Sequence, residues 1–119
     1  GANLFCRVPI TMTLAGLGGE VEVPIIEGSR TKVKVAPGTQ TGQQLRLKGK
    51  GMTVLGSDAR GDMFIEMFVE TPVNLDKKQQ ELLKQLDKSM GGVREGSKNS
   101  PESSGFFSKM KDIWSDLKE

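Results

Sequence analysis

The sequence predicts a mainly β chain: a small antiparallel β-sandwich with a short helix over residues 1–73, a packing helix over 74–90, a flexible linker over 91–105 and an amphipathic C-terminal helix over 106–119. Three observations carry this reading. Apolar residues alternate with polar ones along most of the first seventy positions, the signature of half-buried strands. The period lengthens after Thr71-Pro72, where a helical spacing begins. A Gly-, Ser- and Pro-rich stretch, GGVREGSKNSPESSG, then separates that helix from a final apolar stripe.

Taken in order, Leu4, Cys6 and Val8 share one face of a first strand, and Val21, Val23 and Ile25 one face of a second. Between them Thr11 can cap a short helix in which Met12, Leu14 and Leu17 face inward, and Gly18-Gly19 can end it. After a turn at Glu27-Gly28, Val33 and Val35 oppose Lys32 and Lys34. Beyond the loop PGTQTG, Leu45 and Leu47 oppose Gln44, Arg46 and Lys48, and a last strand aligns Met63, Ile65, Met67 and Val69. Asp76 and Gln79 have the spacing of a capping box ahead of Leu82, Leu83, Leu86 and Met90, and Gly91-Gly92 closes that helix. In the last segment Phe106, Met110, Ile113, Trp114 and Leu117 fall at i, i+4, i+7, i+8 and i+11, one stripe that holds the only Trp. A helix this short is marginal alone in water, so its stripe is expected to dock on its own domain, on a second copy or on another surface.

Composition excludes most chemistry. The 119 residues contain no His, which removes the commonest general base and metal ligand, and the single Cys6 has no activating partner. The carboxylate pairs Glu20/Glu22 and Glu66/Glu70 have the spacing of solvent-facing strand charges, and the glycine clusters lack the strand-to-helix context of a phosphate loop. Neither an enzyme nor a cofactor site is expected. One Cys allows no internal disulfide, which suits a reducing cytoplasm, and no apolar run approaches a bilayer span. The chain opens in strand residues without an initiator Met, as expected of a fragment of a longer protein.

Two surfaces stand out as candidates. Phe5, Phe64 and Phe68 lie on the faces opposite the core series, where they either fill a second layer of the sandwich or form an exposed apolar groove for a peptide. Residues 29–60 carry seven Lys or Arg against one Asp, although the whole chain has a net charge of only +2. The strip of Arg30, Lys32, Lys34, Arg46, Lys48 and Lys50 contains no aromatic to stack a base, so specific nucleic-acid binding is not expected. It reads as a solvated sheet face or, with Lys32 and Lys34 at its centre, as a dock for an acidic peptide tail.

The blocks NLFCRVPITMTLAGLGGEVEVP (Asn3 to Pro24), VAPGTQTGQQLRLKGKGM (Val35 to Met52), GDMFIEMFVETPVNLDKKQQELL (Gly61 to Leu83) and SPESSGFFSKMKDIWSDLKE resemble, in one order over the whole chain, the C-terminal portion of the bacterial DnaJ family, co-chaperones of DnaK. The resemblance implies the second β-sandwich of the substrate-binding part followed by the dimerisation segment. It assigns Phe106, Phe107, Met110, Ile113, Trp114 and Leu117 to a homodimer contact. It also implies unfolded client polypeptides and a DnaK-type chaperone as partners. The family's zinc repeats and its His-Pro-Asp tripeptide have no counterpart in a chain with one Cys and no His. The rival reading is an interaction module that lays the terminal helix on a membrane surface. Lys109, Lys111 and Lys118 are balanced there by Asp112, Asp116 and Glu119, which removes the attraction to anionic lipid.

Overall fold

A computed structural model describes residues 2–26, 28–52, 59–91 and 98–118. Glu27 of the expected turn, residues 92–97 of the expected linker and the final Glu119 lie outside the described residues. The chain divides into two compact units, Gly1–Val73 and Asn74–Glu119.

The first unit holds strands β1 (Leu4–Thr11), β2 (Gly19–Pro24), β3 (Arg30–Val35), β4 (Gln44–Leu47) and β5 (Met63–Glu70), with helix α1 (Met12–Leu17) after β1. They form a three-stranded sheet in the order β1-β5-β4 and a two-stranded sheet of β2 and β3. Ile10, Val23, Ile25, Val33, Val35, Met63, Ile65 and Met67 make a buried core from both sheets, and Ala15 of α1 joins it. The inward series read from alternation is thus the observed one in β2, β3 and β5.

One pairing departs from the antiparallel expectation. β1 runs parallel to β5, with Leu4 opposite Met63 and Thr11 opposite Glu70. Alternation is the same in either direction, so a period of two cannot encode the sense of a pair whose strands are separated by the rest of the unit. The other two pairs, β2 with β3 and β4 with β5, are antiparallel.

Helix α1 is capped by the Thr11 side chain, which accepts from the Leu14 N–H at 3.1 Å. Gly18 ends it at φ 80°, in the left-handed region, where a Cβ would also lie 2.8 Å from the Pro37 ring. Leu17, expected inside, is 80% exposed, and Ala15 takes the inward position. At 3.6 residues per turn Leu17 lies about 160° around the axis from Ala15, so both cannot face the core. Cys6 is likewise exposed, although it shares the parity of Leu4 and Val8.

Gly51 and Gly61 fit where they do because the N-terminal backbone passes against them. The Met52 N–H donates to the Ala2 carbonyl at 2.8 Å and the Gly51 N–H to the Gly61 carbonyl at 2.9 Å. A Cβ on Gly51 would stand 2.6 Å from the Ala2 carbonyl oxygen, and one on Gly61 would collide with the Ala2 backbone. Backbone cannot rotate away as a side chain can. Gly61→Ala is therefore expected to cost about 1–3 kcal/mol in a urea titration, while Ala at Gly16, which has open space around it, costs nothing measurable.

The second unit holds α2 (Lys77–Met90) and α3 (Pro101–Lys118). Asp76 and Gln79 form the expected capping box at the start of α2, and Gly91 closes it in the left-handed conformation. Helix α3 starts at Pro101, so residues 101–105, assigned to the linker by composition, are its first turn. Pro is well placed at a first helical position, where its missing N–H has no intrahelical partner to lose. Glu102 adds a negative charge at the positive end of the helix, and the Ser104 N–H donates to the Ser100 carbonyl at 2.9 Å.

Candidate functional site

The outer face of the three-stranded sheet is built by strand parity. Residues that alternate with the buried Met63, Ile65 and Met67 of β5 are Phe64, Glu66 and Phe68. Register sets Phe5 of β1 and Arg46 of β4 on either side of Phe64, Arg7 and Gln44 on either side of Glu66, and Pro9 beside Phe68. The Phe5 and Phe64 rings stack with centroids 5.1 Å apart at 13°. The Arg7 guanidinium lies 4.0 Å above the Phe68 ring, and that of Arg46 lies 5.9 Å from the Phe64 centroid. Such contacts are each worth about 0.5–1 kcal/mol at an exposed site, enough to hold the rings in place without hiding them.

Phe5 is 78% exposed, whereas Phe64 and Phe68 are half-buried. The three aromatics therefore do not fill a second layer of the sandwich. Two of them, Phe5 and Phe64, line a shallow depression of about 270 Å³ together with Arg7, Gln44 and Glu66, and Phe68 lies outside it. Parity alone placed the aromatics on one face. Nothing in the sequence associates Arg7 and Arg46 with them, because the association requires the order β1-β5-β4, which no local pattern carries.

One end of this face is set by Asp62, just before β5. Its carboxylate accepts the Gly49 N–H at 2.9 Å and pairs with the Arg46 guanidinium, and its own N–H donates to the Asn3 side chain at 2.8 Å. The Gly49 hydrogen bond first, and then Arg46, hold the Asp62 carboxyl below the ordinary value of 3.8. A carboxyl depressed on folding stabilises the fold above its unfolded pKa and loses that contribution as pH falls through the folded value. Asp62→Asn should accordingly lower the melting temperature at pH 7, and the gap from the unsubstituted chain should close as the pH is taken below 3.8. A gap independent of pH would assign the loss to shape instead of charge.

The basic strip does not survive as one surface. Lys32 and Lys34 lie on β3 in the two-stranded sheet, whereas Arg46 is on β4 in the other sheet and Lys48 follows it. Lys32 stands opposite Glu22 and Lys34 opposite Glu20, and Arg30 reaches Glu22 at 3.5 Å. Opposite charges directly across a pair of strands compensate one another, so the strand carries less free positive charge than its sequence implies.

Helix α3 presents the second surface. Phe106, Trp114 and Leu117 are each more than half exposed, Phe107 and Ile113 nearly so, and no residue of the helix is buried. Phe106 and Phe107 meet edge to face at 5.3 Å. At about 100° per residue these side chains and Met110 occupy an arc of about 120°, and Ser115 marks the opposite side.

Comparison with known proteins shows the family. The family model described as "DnaJ C terminal domain" matches residues 1–72, and that described as "Chaperone protein DnaJ C-terminal region" matches residues 78–116. This chain belongs to the DnaJ C-terminal family. Among its DnaJ relatives, the Chaperone protein DnaJ of Paramagnetospirillum magneticum is 62% identical over 119 residues, covering 100% of this chain and 30% of the relative. That of Rhodospirillum centenum is 61% identical over 120 residues with the same coverage, and that of Ehrlichia ruminantium is 52% identical over 118 residues, covering 99% of this chain. The chain spans about 30% of the length of the curated DnaJ relatives it matches. Those relatives are named as bacterial chaperones, and no helix among the described residues is long and apolar enough to cross a membrane.

Proposed function

We propose that this chain is the dimerising, client-contacting, non-catalytic module of a DnaJ-type co-chaperone that works with a DnaK-type partner in the cytoplasm. The observation that carries the reading is that each unit exposes large apolar side chains. The Phe5–Phe64 stack stands on a rigid sheet, and the stripe of Phe106, Phe107, Met110, Ile113, Trp114 and Leu117 stands on α3. Unfolded chains are bound through apolar side chains that folded proteins hide, which suits the first surface. A helix with large apolar residues left open is completed by a second copy of itself, which suits the second. Two copies joined through α3 hold two weak client faces at an effective concentration of about millimolar, so contacts too weak to act alone act together. No cofactor is called for, since neither surface breaks or forms a bond.

The test is a pair of measurements on the full chain and on the chain cut before residue 91. The full chain should sediment with twice its 12.9 kDa mass and delay aggregation of a denatured test protein. The shortened chain should sediment as a monomer with its sheets intact and delay aggregation much less. A monomeric full chain removes the dimer, and equal activity of the two removes the link between dimer and client.

A further inference from the structure

The parallel pairing of β1 leaves one of its edges open and decides which residues serve it. The Leu4 N–H donates to the Asp62 carbonyl at 2.9 Å, so Leu4, and by alternation Cys6 and Val8, turn their backbone groups toward β5. Phe5, Arg7 and Pro9 turn theirs outward, and β1 has no second strand neighbour among the described residues. Pro9 has no N–H, so strand addition along this edge ends there. Ahead of Pro9, the β1 residues whose N–H faces this edge are the two whose side chains stand on the outer face at the edge of the depression: Phe5, stacked on Phe64, and Arg7, whose guanidinium lies over Phe68.

We propose that this edge takes an extended polypeptide segment that carries a large apolar side chain and a carboxylate two residues apart, the first lying against Phe5 and the second pairing with Arg7. The proposal rests on the client-contacting reading and narrows the class of client. A strand added to β1 sets alternate side chains on the same face as Phe5 and Arg7, about 4.8 Å from them, which fixes the spacing at i, i+2 in either chain direction. Charge selects the acid. Arg46 is neutralised by Asp62, whereas Arg7 forms no ion pair among the described residues and is only partly compensated by Glu66 directly across the strand pair. Glu66, across from Arg7 on β5, opposes an incoming carboxylate, but it lies one strand spacing further away. At about 9.6 Å its repulsion is largely screened at physiological salt, while the attraction of Arg7 at half that distance is not. The guanidinium carbon lies 4.0 Å from the Phe68 centroid, and a guanidinium held over a ring face can still offer N–H donors to a carboxylate.

The experiment uses the full chain and labelled octapeptides of Ser, Thr and Gly that carry Leu and, two positions on, Asp, Asn or Lys. Two further controls place Asp next to Leu or replace Leu with Ser. The Asp peptide should bind about two- to fivefold more tightly than the Asn peptide at low salt, with the Lys peptide weakest, and the order should fade as salt is raised. Arg7→Glu should reverse the order of the Asp and Lys peptides, with a slightly lowered melting temperature because it loses the contact with Phe68 and sets a second carboxylate across from Glu66. Should that variant fold poorly, Arg7→Gln should abolish the difference between Asp and Asn. The adjacent-Asp peptide should bind like the Asn peptide, because its carboxylate falls on the opposite face. If Phe5→Ala weakens every peptide while Asp and Asn bind alike, the face contacts clients without reading charge and the proposal is overturned. If Asp is preferred at either spacing, pairing along the β1 edge is overturned. If no peptide binds and Phe5→Ala changes nothing, the client-contacting reading fails and takes the proposal with it.

Discussion

Phe107→Ala combined with Trp114→Ala is expected to turn the proposed dimer into a monomer at micromolar concentration, with the strand signal unchanged. The two side chains lie one above the other at i and i+7 on α3, within the same arc as Met110 and Leu117. Truncating a large aromatic that is packed against another surface costs about 3–5 kcal/mol. Part of each ring already lies against its own helix, so about half of that loss is a fair minimum for the interface. Two such losses raise the dissociation constant at least a hundredfold, since each 1.4 kcal/mol is a factor of about ten. The helix should also lose part of its circular-dichroism signal as the partner leaves, because a helix of this length is marginal without a surface to pack on. Ser115→Ala, on the opposite side of the helix, should leave the mass unchanged. Retention of the dimer mass by the double variant places the interface elsewhere.

How far the sequence reaches can be judged at particular residues. Thr11, Asp76, Gln79 and Gly91 do in the structure what their types and spacings predict, because caps are local and every atom involved lies within a few residues. Alternation finds the inward residues of β2, β3 and β5 for the same reason. What alternation lacks is strand order and direction. The parallel sense of β1 is therefore invisible, and so is the separation of Lys32 and Lys34 from Arg46 and Lys48 into different sheets. The Asp62 cluster shows the limit most clearly, since Asn3, Arg46, Gly49 and Asp62 meet only once β5 has been laid between β1 and β4. At the candidate site the off-pattern aromatics are visible as a break in parity. The arginines that lie over them belong to neighbouring strands, and nothing local marks them. At the start of α3 a Gly- and Ser-rich composition points to a linker, whereas the positional preference of Pro101 for a first helical turn agrees with the helix observed.

Ile65→Ala is expected to remove about 2–5 kcal/mol from the first unit, the largest effect of any single truncation considered for it. Ile65 is completely buried at the middle of the central strand, with Cys6 beside it on β1 and Leu45 on β4. Deleting its branched side chain leaves a cavity that neighbours on two sides cannot close, since both are fixed by the backbone ladders of β5. A unit of residues 1–73 has a total stability of about 4–11 kcal/mol at the usual per-residue value, so the loss is comparable with half of it. With a urea dependence of about 1 kcal/mol per molar, the midpoint should fall by at least 2 M. Ile65→Val removes one methyl group and should cost only about 0.5–1.5 kcal/mol. Phe5→Ala, on the outer face with 78% of the residue exposed, should stay within about 1 kcal/mol of the unsubstituted chain while weakening peptide binding. The contrast separates the two faces of one sheet, since β5 carries the core on one side and the candidate binding surface on the other. A loss below 1 kcal/mol for Ile65→Ala would mean that β5 is not the centre of the core. A loss for Phe5→Ala as large as that for Ile65→Ala would mean that the outer aromatics are packing residues and not a surface for clients.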